Sequence, residues 1–375
     1  MLRGPGTGVS TYARSLIEAI GQVGGQPFVL SASHQDDGRM TRWLAAAGGS
    51  IRRVEEGSAG PCEPGQSSRG QLIGHDIFRR GYVHFQMYGR LLRLRSSLPA
   101  GIMHWTYPVP LVMEGWTNLY TVHDAIPLTR PDLTPISPRR HRALLRALMT
   151  RAHRLVTVSE CARGEIVAAL ACNPDKVVNC GQSVDFDVVA RAFLPTGLAA
   201  KHYLLFCGSI EPRKNLSALL TAYGRSGTAL PLVIAGPDGW RAEPILRQIA
   251  GTAGVIRLPY LDRDQLLALI QGARAMLFPS LAEGFGLPVA ESMALGTAVM
   301  TSNRGALAEI AGGAGLLVDP DDPASIADGI VRLAEDDGLV RRLAELGRQH
   351  APVFSRDAFA TRLAAVYGEA FANDP

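Results

Sequence analysis

The run Ala275-Met276-Leu277-Phe278-Pro279-Ser280 is separated by two residues from Glu283-Gly284-Phe285-Gly286-Leu287-Pro288-Val289-Ala290-Glu291. The first run is short and apolar, which predicts a strand buried on both faces in a parallel sheet. Pro288 suits the first turn of a helix, where its missing N–H costs nothing. That helix is expected from Val289 to about Leu295, with Gly296 ending it in a left-handed conformation. The segment therefore reads strand, glycine loop, helix N-terminus. Free N–H groups at such a terminus make a site for an anion. Glu283 lies in the loop and Glu291 a turn into the helix, eight positions apart. They flank the anion position, each within reach of a sugar or ribose hydroxyl. The plain alternative is one helix-capping glutamate and one surface glutamate.

Similar short apolar runs surround this one. Tyr203–Gly208, Pro231–Gly236, Val255–Leu258, Ala298–Met300 and Gly315–Val318 read as strands with helices between them, ending in a helix over Pro323–Glu335. Upstream, Phe28–Leu30, Ile102–His104, Leu119–Val122 and Leu155–Val158 are further strands, with helices over Ser10–Ile20 and from Ser159. Strands alternating with helices are the mark of parallel βαβ sheets. Residues 31–70 are polar, glycine-rich and hard to place, with a loose loop over Gly57–Gly70, and residues 186–200 read as a linker. The predicted fold is α/β: two doubly wound, Rossmann-like domains, 1–187 and 188–355, followed by a last helix within 356–375.

Two further segments carry chemistry. Gly208-Ser209-Ile210-Glu211-Pro212-Arg213-Lys214-Asn215-Leu216 follows the first strand of the second domain, and ligands of open α/β sheets bind at loops after strands. Arg213 and Lys214 suit a diphosphate, the one as a planar fork and the other as a point charge. A surface turn with two solvated cations is the alternative. Val122-His123-Asp124 ends a first-domain strand, which points His123 at the space between the domains; a structural histidine and a turn aspartate are the bland pair of roles.

Together, E-G-F-G-L-P-V-A-E, the Arg213–Lys214 loop and the V-H-D segment resemble retaining glycosyltransferases of family 4, which have the GT-B fold. The resemblance spans nearly the whole chain and is most specific over 203–320. It implies two Rossmann-like domains facing across a cleft, the first binding the acceptor and the second a nucleotide-sugar. It places Glu291 on the ribose, Arg213 and Lys214 on the diphosphate, and Glu283 with Gly284, Phe285, Gly286 and Leu287 on the sugar and phosphate. In relatives the loop arginine often directly follows the glycine, a position held here by Ser209, so Arg213 substitutes for it. Tyr260 and Leu261 match the segment that receives the nucleotide base, and His123 the histidine beside the transferred sugar. Gly6, Thr7 and Gly8 form the candidate acceptor or phosphate loop. The catalytic set is His123, Glu283, Arg213 and Lys214. Transfer with retention is expected by front-face attack, because no carboxylate nucleophile is evident in the first domain.

The resemblance extends to bacterial mannosyltransferases of exopolysaccharide and lipopolysaccharide assembly. GDP-mannose is therefore the favoured donor, ahead of UDP-sugars, and a glycan or polyprenyl-diphosphate-linked molecule the acceptor. No cofactor and no bound metal are expected. Asp185-Phe186-Asp187 matches the D-x-D of another glycosyltransferase fold but falls at the linker, as a chance match would. Two rivals remain: a nucleotide-sugar epimerase of the same fold, and a catalytically silent sugar-binding relative.

At 375 residues, 47% hydrophobic and 19% charged, the chain suits two globular domains. No apolar run reaches the roughly 20 residues of a membrane helix. Cys62, Cys161, Cys172, Cys180 and Cys207 show neither C-x-x-C nor metal spacing, which fits reduced thiols and a cytoplasmic location. Residues 1–190 carry 21 Lys+Arg against 15 Asp+Glu, and the rest 17 against 19. A basic front half suits an anionic partner, and with this resemblance a membrane face rather than nucleic acid. The arginine-rich stretch 77–98, with Arg79, Arg80, Arg90, Arg93 and Arg95, and a second basic helix from about Pro138 to Ala152, with Arg139, Arg140, Arg142, Arg146 and Arg151, are the candidates for peripheral contact with the inner face of the membrane. Solvated helices packed on the core are the alternative. Because Gly4-Pro5-Gly6-Thr7-Gly8 follows only three residues, the first sheet is expected to lack its first central strand and to hold an open slot, unless its strands close up into a smaller sheet.

Overall fold

The computed structural model describes residues 8–33, 48–54, 70–96, 98–184 and 194–372. The front half runs α1 (Gly8–Gln22), β1 (Phe28–Ser33), β2 (Gly48–Val54), β3 (Gly70–His75), α2 (Ile77–Tyr88), β4 (Leu92–Ser96), β5 (Ile102–Trp105), β6 (Leu111–Met113) and β7 (Thr117–Thr121). It continues with α3 (Ile126–Thr129), α4 (Pro138–Met149), β8 (Arg154–Thr157), α5 (Glu160–Leu170) and β9 (Val177–Asn179). The back half runs β10 (Leu204–Cys207), α6 (Leu216–Ser226), β11 (Leu232–Ala235), α7 (Glu243–Gly251), β12 (Val255–Arg257), α8 (Arg263–Gly272), β13 (Ala275–Phe278) and α9 (Leu287–Ala294). It ends with β14 (Ala298–Ser302), α10 (Gly305–Ala311), β15 (Leu316–Val318), α11 (Pro323–Glu335), α12 (Asp337–His350) and α13 (Arg356–Ala372).

The back half is one parallel sheet of order β12-β11-β10-β13-β14-β15. In its own strand count this is 3-2-1-4-5-6, the doubly wound order. Its switch point falls between β10 and β13, whose residues are all buried. The loops that leave these two strands carry Arg213–Lys214 and Glu283–Gly286, so the sheet itself brings both segments to one crevice.

The front half differs from the single sheet that alternation predicts. Its strands form two sheets, β1-β3-β2-β4-β6 and β5-β7-β8-β9, because pairing stops at β1 on one side and at β5 on the other. The second is wholly parallel, while the first holds one antiparallel pair, β2 with β3. β2, β3, β6 and β9 lie where the sequence reading places no strand. The stretch 77–98 is helix only to Tyr88; Arg93 and Arg95 are on β4, and both pair with Glu114, at 3.1 and 2.7 Å. Gly6, Thr7, the Asp185-Phe186-Asp187 match, most of the linker and the slot expected at the start of the chain lie outside the described residues.

One apolar core runs from the back sheet through Phe359 and Leu363 of α13 into Tyr12 and Leu16 of α1. A second fills the front half around Leu145, Leu155 and Tyr120. The last helix thus packs on α1, where the ion pair Arg356–Glu18 (3.2 Å) fastens it, and Arg154–Glu369 (3.3 Å) ties it to β8. Among the described residues no helix is long and apolar enough to cross a membrane, and Cys161, Cys172, Cys180 and Cys207 are free thiols.

Candidate active site

Pro212–Lys214 form a single 3-10 turn after β10. Asn215 follows in a left-handed conformation, and its side-chain amide donates to the Pro279 and Pro320 carbonyls at 3.0 and 2.7 Å. The Leu281 N–H donates to the Arg213 carbonyl at 2.9 Å. The two crevice loops are therefore stitched together by backbone and amide bonds before any charge is considered.

At their junction the side chain of Glu283 is 8% exposed and bridges two cations. Arg213 Nη1 donates to its Oε2 at 2.5 Å and Lys214 Nζ to its Oε1 at 2.7 Å. Burial alone would push the Glu283 carboxyl up, but Arg213 and Lys214 hold it below the usual carboxylate range. Burial likewise lowers Lys214, against the pull of Glu283. Arg213 also reaches the Ala282 carbonyl (3.0 Å) and Glu211 (2.6 Å), so most of its fork is spent inside the protein. Lys214 has one of its three N–H groups bonded among the described residues, and it lies over the Phe278 ring at 4.7 Å. Of the two cations assigned to a diphosphate, Lys214 keeps donors for one, while Arg213 braces Glu283 and the loop.

Gly286 precedes α9 at φ 109°, a region closed to most side chains, and Pro288 sits in the first turn. Glu291 on α9 is 2% exposed, and Arg263 of α8 pairs with its Oε1 at 2.6 Å. Tyr260, 72% exposed, and the half-buried Leu261 lead into that arginine from β12. Ser209 lies half-buried at the start of the β10 loop.

The front half meets this crevice at Gly284. A Cβ there would collide with the His123 carbonyl oxygen, so only glycine fits. The His123 ring is turned away from that contact. Its Nε2 donates to the Thr106 carbonyl at 2.9 Å, which leaves Nδ1 as the acceptor, and it stands edge-on to Tyr12 at 4.9 Å. Burial pushes its pKa below the usual value, more than Thr106 and Asp124 restore. Asp124 accepts the Ile126 N–H at 3.0 Å, as a turn aspartate does. Gly8, at the start of α1, faces Leu287 of the crevice: a Cβ on it would lie 3.7 Å from Leu287 Cδ1.

The α5 N-terminus is a second point of contact. The Ser159 hydroxyl donates to the Gly284 carbonyl at 2.7 Å and accepts the Ala162 N–H at 3.1 Å. Glu309 of α10 accepts the Glu160 and Cys161 N–H groups at 2.8 and 2.7 Å, a carboxylate from one half capping a helix of the other. Arg263, Glu211, Ser159 and Glu309 are absent from the motif-based set. Arg263, Ser159 and Glu309 act over sequence separations that no local pattern encodes, while Glu211 sits two residues from its partner Arg213.

Residues 197–350 match the family model described as "Glycosyl transferases group 1". The chain is 32% identical over 262 residues to O-antigen chain mannosyltransferase B of Escherichia coli, covering 66% of this chain and 69% of that protein. It is 29% identical over 261 residues to the serotype-specific mannosyltransferase WbdA of Escherichia coli, covering 64% of this chain but 32% of that longer one. Among solved structures, sucrose-phosphate synthase from Thermosynechococcus elongatus superposes with a TM-score of 0.68 at 18% identity, covering 98% of this chain and 94% of that one.

Proposed function

The chain belongs to the group 1 glycosyl transferases, with the GT-B fold, and from that premise we propose that it moves a sugar with retention from a nucleotide-sugar to a glycan or polyprenyl-diphosphate-linked acceptor in cell-surface polysaccharide synthesis. The observation that carries this reading is the switch-point crevice itself. Lys214 and the Arg213–Glu283 brace sit where the loops after β10 and β13 meet, the α9 N-terminus and Glu291 follow on, and the His123 carbonyl of the other half packs on Gly284.

In this reading the diphosphate lies against Lys214 and the free N–H groups of α9, Glu291 takes the ribose, and the Tyr260–Leu261 segment takes the base. Developing charge on the leaving diphosphate is met by groups already in place, so little reorganisation is needed at the moment of bond cleavage. The acceptor hydroxyl attacks from the leaving-group face and gives its proton to the departing diphosphate. Mannose from GDP-mannose is the favoured donor, supported by the mannosyltransferase relatives. The reaction as drawn calls on no metal and no cofactor. Thermal-shift screening against GDP- and UDP-sugars tests the donor: GDP-mannose should stabilise the protein most, and stabilisation by UDP-sugars alone would overturn the mannose assignment.

The reading also places the enzyme in the cytoplasm, at the inner face of the membrane. Supporting it, α2 exposes Tyr82, Met87 and Tyr88, and α4 exposes Arg139, Arg140 and Arg146. Binding to anionic vesicles should fall steeply with salt, and Arg139→Gln with Arg140→Gln and Arg146→Gln should abolish it.

A further inference from the structure

We propose that Arg263 is a positioning residue for ribose recognition: it holds one oxygen of the buried Glu291 carboxylate and leaves the other to receive the hydroxyls of a nucleotide ribose. The inference rests on the donor-site reading above and adds to it a residue that no motif contains.

Glu291 is 2% exposed on α9. A carboxylate taken out of water costs several kcal/mol unless it is paired. Among the described residues Arg263 is the cation that pairs with it, Nη2 to Oε1 at 2.6 Å. Facing it from β10 is the buried Cys207 thiol, which brings no positive charge. Burial raises the Glu291 pKa and Arg263 opposes that rise. Without the guanidinium the carboxyl therefore stands to take up a proton or turn toward water, and either change spoils a two-hydroxyl acceptor.

Arg263 is also well placed to act this way. It is the first residue of α8, and the preceding Asp262 is locked in a reciprocal cap with Gln265, bonded at 2.8 and 3.1 Å. Its backbone is thus fixed while its side chain, 38% exposed, spans from the surface to the buried carboxylate. A planar guanidinium spends one edge on Glu291 and keeps further donors.

The experiment is a ligand cycle. Binding of GDP, UDP and their 2′,3′-dideoxy analogues is measured calorimetrically for the wild type, Arg263→Gln, Arg263→Lys, Glu291→Gln and the double variant Arg263→Gln/Glu291→Gln. Melting curves report whether each variant is folded. The wild type should prefer the ribose form. Arg263→Gln should lose roughly tenfold for that form, as for a hydrogen bond to a charged group, with no loss for the dideoxy form. Arg263→Lys should recover part of the affinity, and the double variant should bind no more weakly than Glu291→Gln. Equal losses for both sugar forms, or no loss at all, would overturn the proposal while leaving the donor site standing. A wild type that binds neither nucleotide would overturn the donor-site reading and this one with it.

Discussion

The two halves of the molecule handle charge in opposite ways. The back half buries it: Glu283 between Lys214 and Arg213, and Glu291 beneath Arg263, all on loops and helices that follow strands of a single sheet. The front half carries exposed arginines, Arg139, Arg140 and Arg146 on α4 and Arg93 and Arg95 on β4. To the crevice it offers neutral groups instead, namely the His123 carbonyl, an unprotonated imidazole, the Ser159 hydroxyl and the α5 N-terminus. Buried ion pairs need a rigid frame, because their desolvation is offset only when geometry is held. Contact through backbone and neutral groups tolerates two sheets that shift against the rest. The difference suggests that one half fixes the donor while the other sets how closely the halves meet.

The largest effect is expected from Glu283→Gln. Removing the shared partner leaves Lys214 buried without a matching charge and Arg213 with Glu211 alone, at a cost of about 3–5 kcal/mol, or on the order of ten degrees in melting temperature. Pyrophosphate should restore part of the loss, since Lys214 then lacks an anion. The pH dependence has a definite sign. The folded-state pKa of Glu283 lies below its ordinary value of 4.5, so the pairing stabilises the fold above that pH and is lost as pH falls through the lower folded value. A Gln variant as stable as the wild type, or unmoved by pyrophosphate, would mean that these charges do not organise the crevice.

Gly284→Ala separates donor binding from closure. Its Cβ collides with the His123 carbonyl, not with any donor-side group. The halves must part by an ångström or so, and a misplacement of about that size can cost roughly 100-fold in turnover. Nucleotide affinity should stay near wild type. Equal losses in both would show that the contact belongs to the donor pocket.

How much of this was legible follows the same divide. The back sheet is readable because its strands are short, continuous apolar runs, and doubly wound order then dictates where their loops meet. Glu283 and Glu291 were visible through a local spacing, and Pro323–Glu335 matches α11 at both ends. β2 and β3 lie in a stretch too polar and glycine-rich to advertise strands. The split into two front sheets depends on which edges pair, which composition does not encode. Arg213 was legible as a cation, but its commitment to Glu283 appears only once β10 and β13 lie side by side. The cap that Glu309 sets on α5 spans 149 residues and has no local mark.

His123→Ala sharpens the comparison at smaller scale, because it removes the imidazole and keeps the carbonyl at Gly284. If the ring supplies one hydrogen bond to the acceptor or the sugar through Nδ1, turnover should fall roughly three- to tenfold. Nucleotide binding should not change. Burial holds this imidazole neutral below its ordinary pKa of 6.5, so turnover between pH 7 and 8 should carry no step from it. A wild-type rate that titrates near neutrality and goes flat in the variant would contradict the neutral-group account of the front half.

The smallest effect belongs to Glu309. Its carboxylate accepts two N–H groups at the α5 N-terminus, where the helix presents partial positive charge. The contact is exposed, so the charge contributes about 0.3–1 kcal/mol and is weakened by salt. Glu309→Gln keeps an acceptor and loses the charge, so a melting shift of only one or two degrees is expected. Glu309→Lys reverses the sign, sets a cation against the positive helix end, and pushes the halves apart where Ser159 would otherwise reach the Gly284 carbonyl. The Lys variant should therefore lower turnover more than the Gln variant and scatter as a wider particle at low salt, with the difference shrinking at high salt. If both variants match the wild type in turnover and in radius of gyration at low salt, the cap is incidental and closure depends on the Gly284–His123 contact alone.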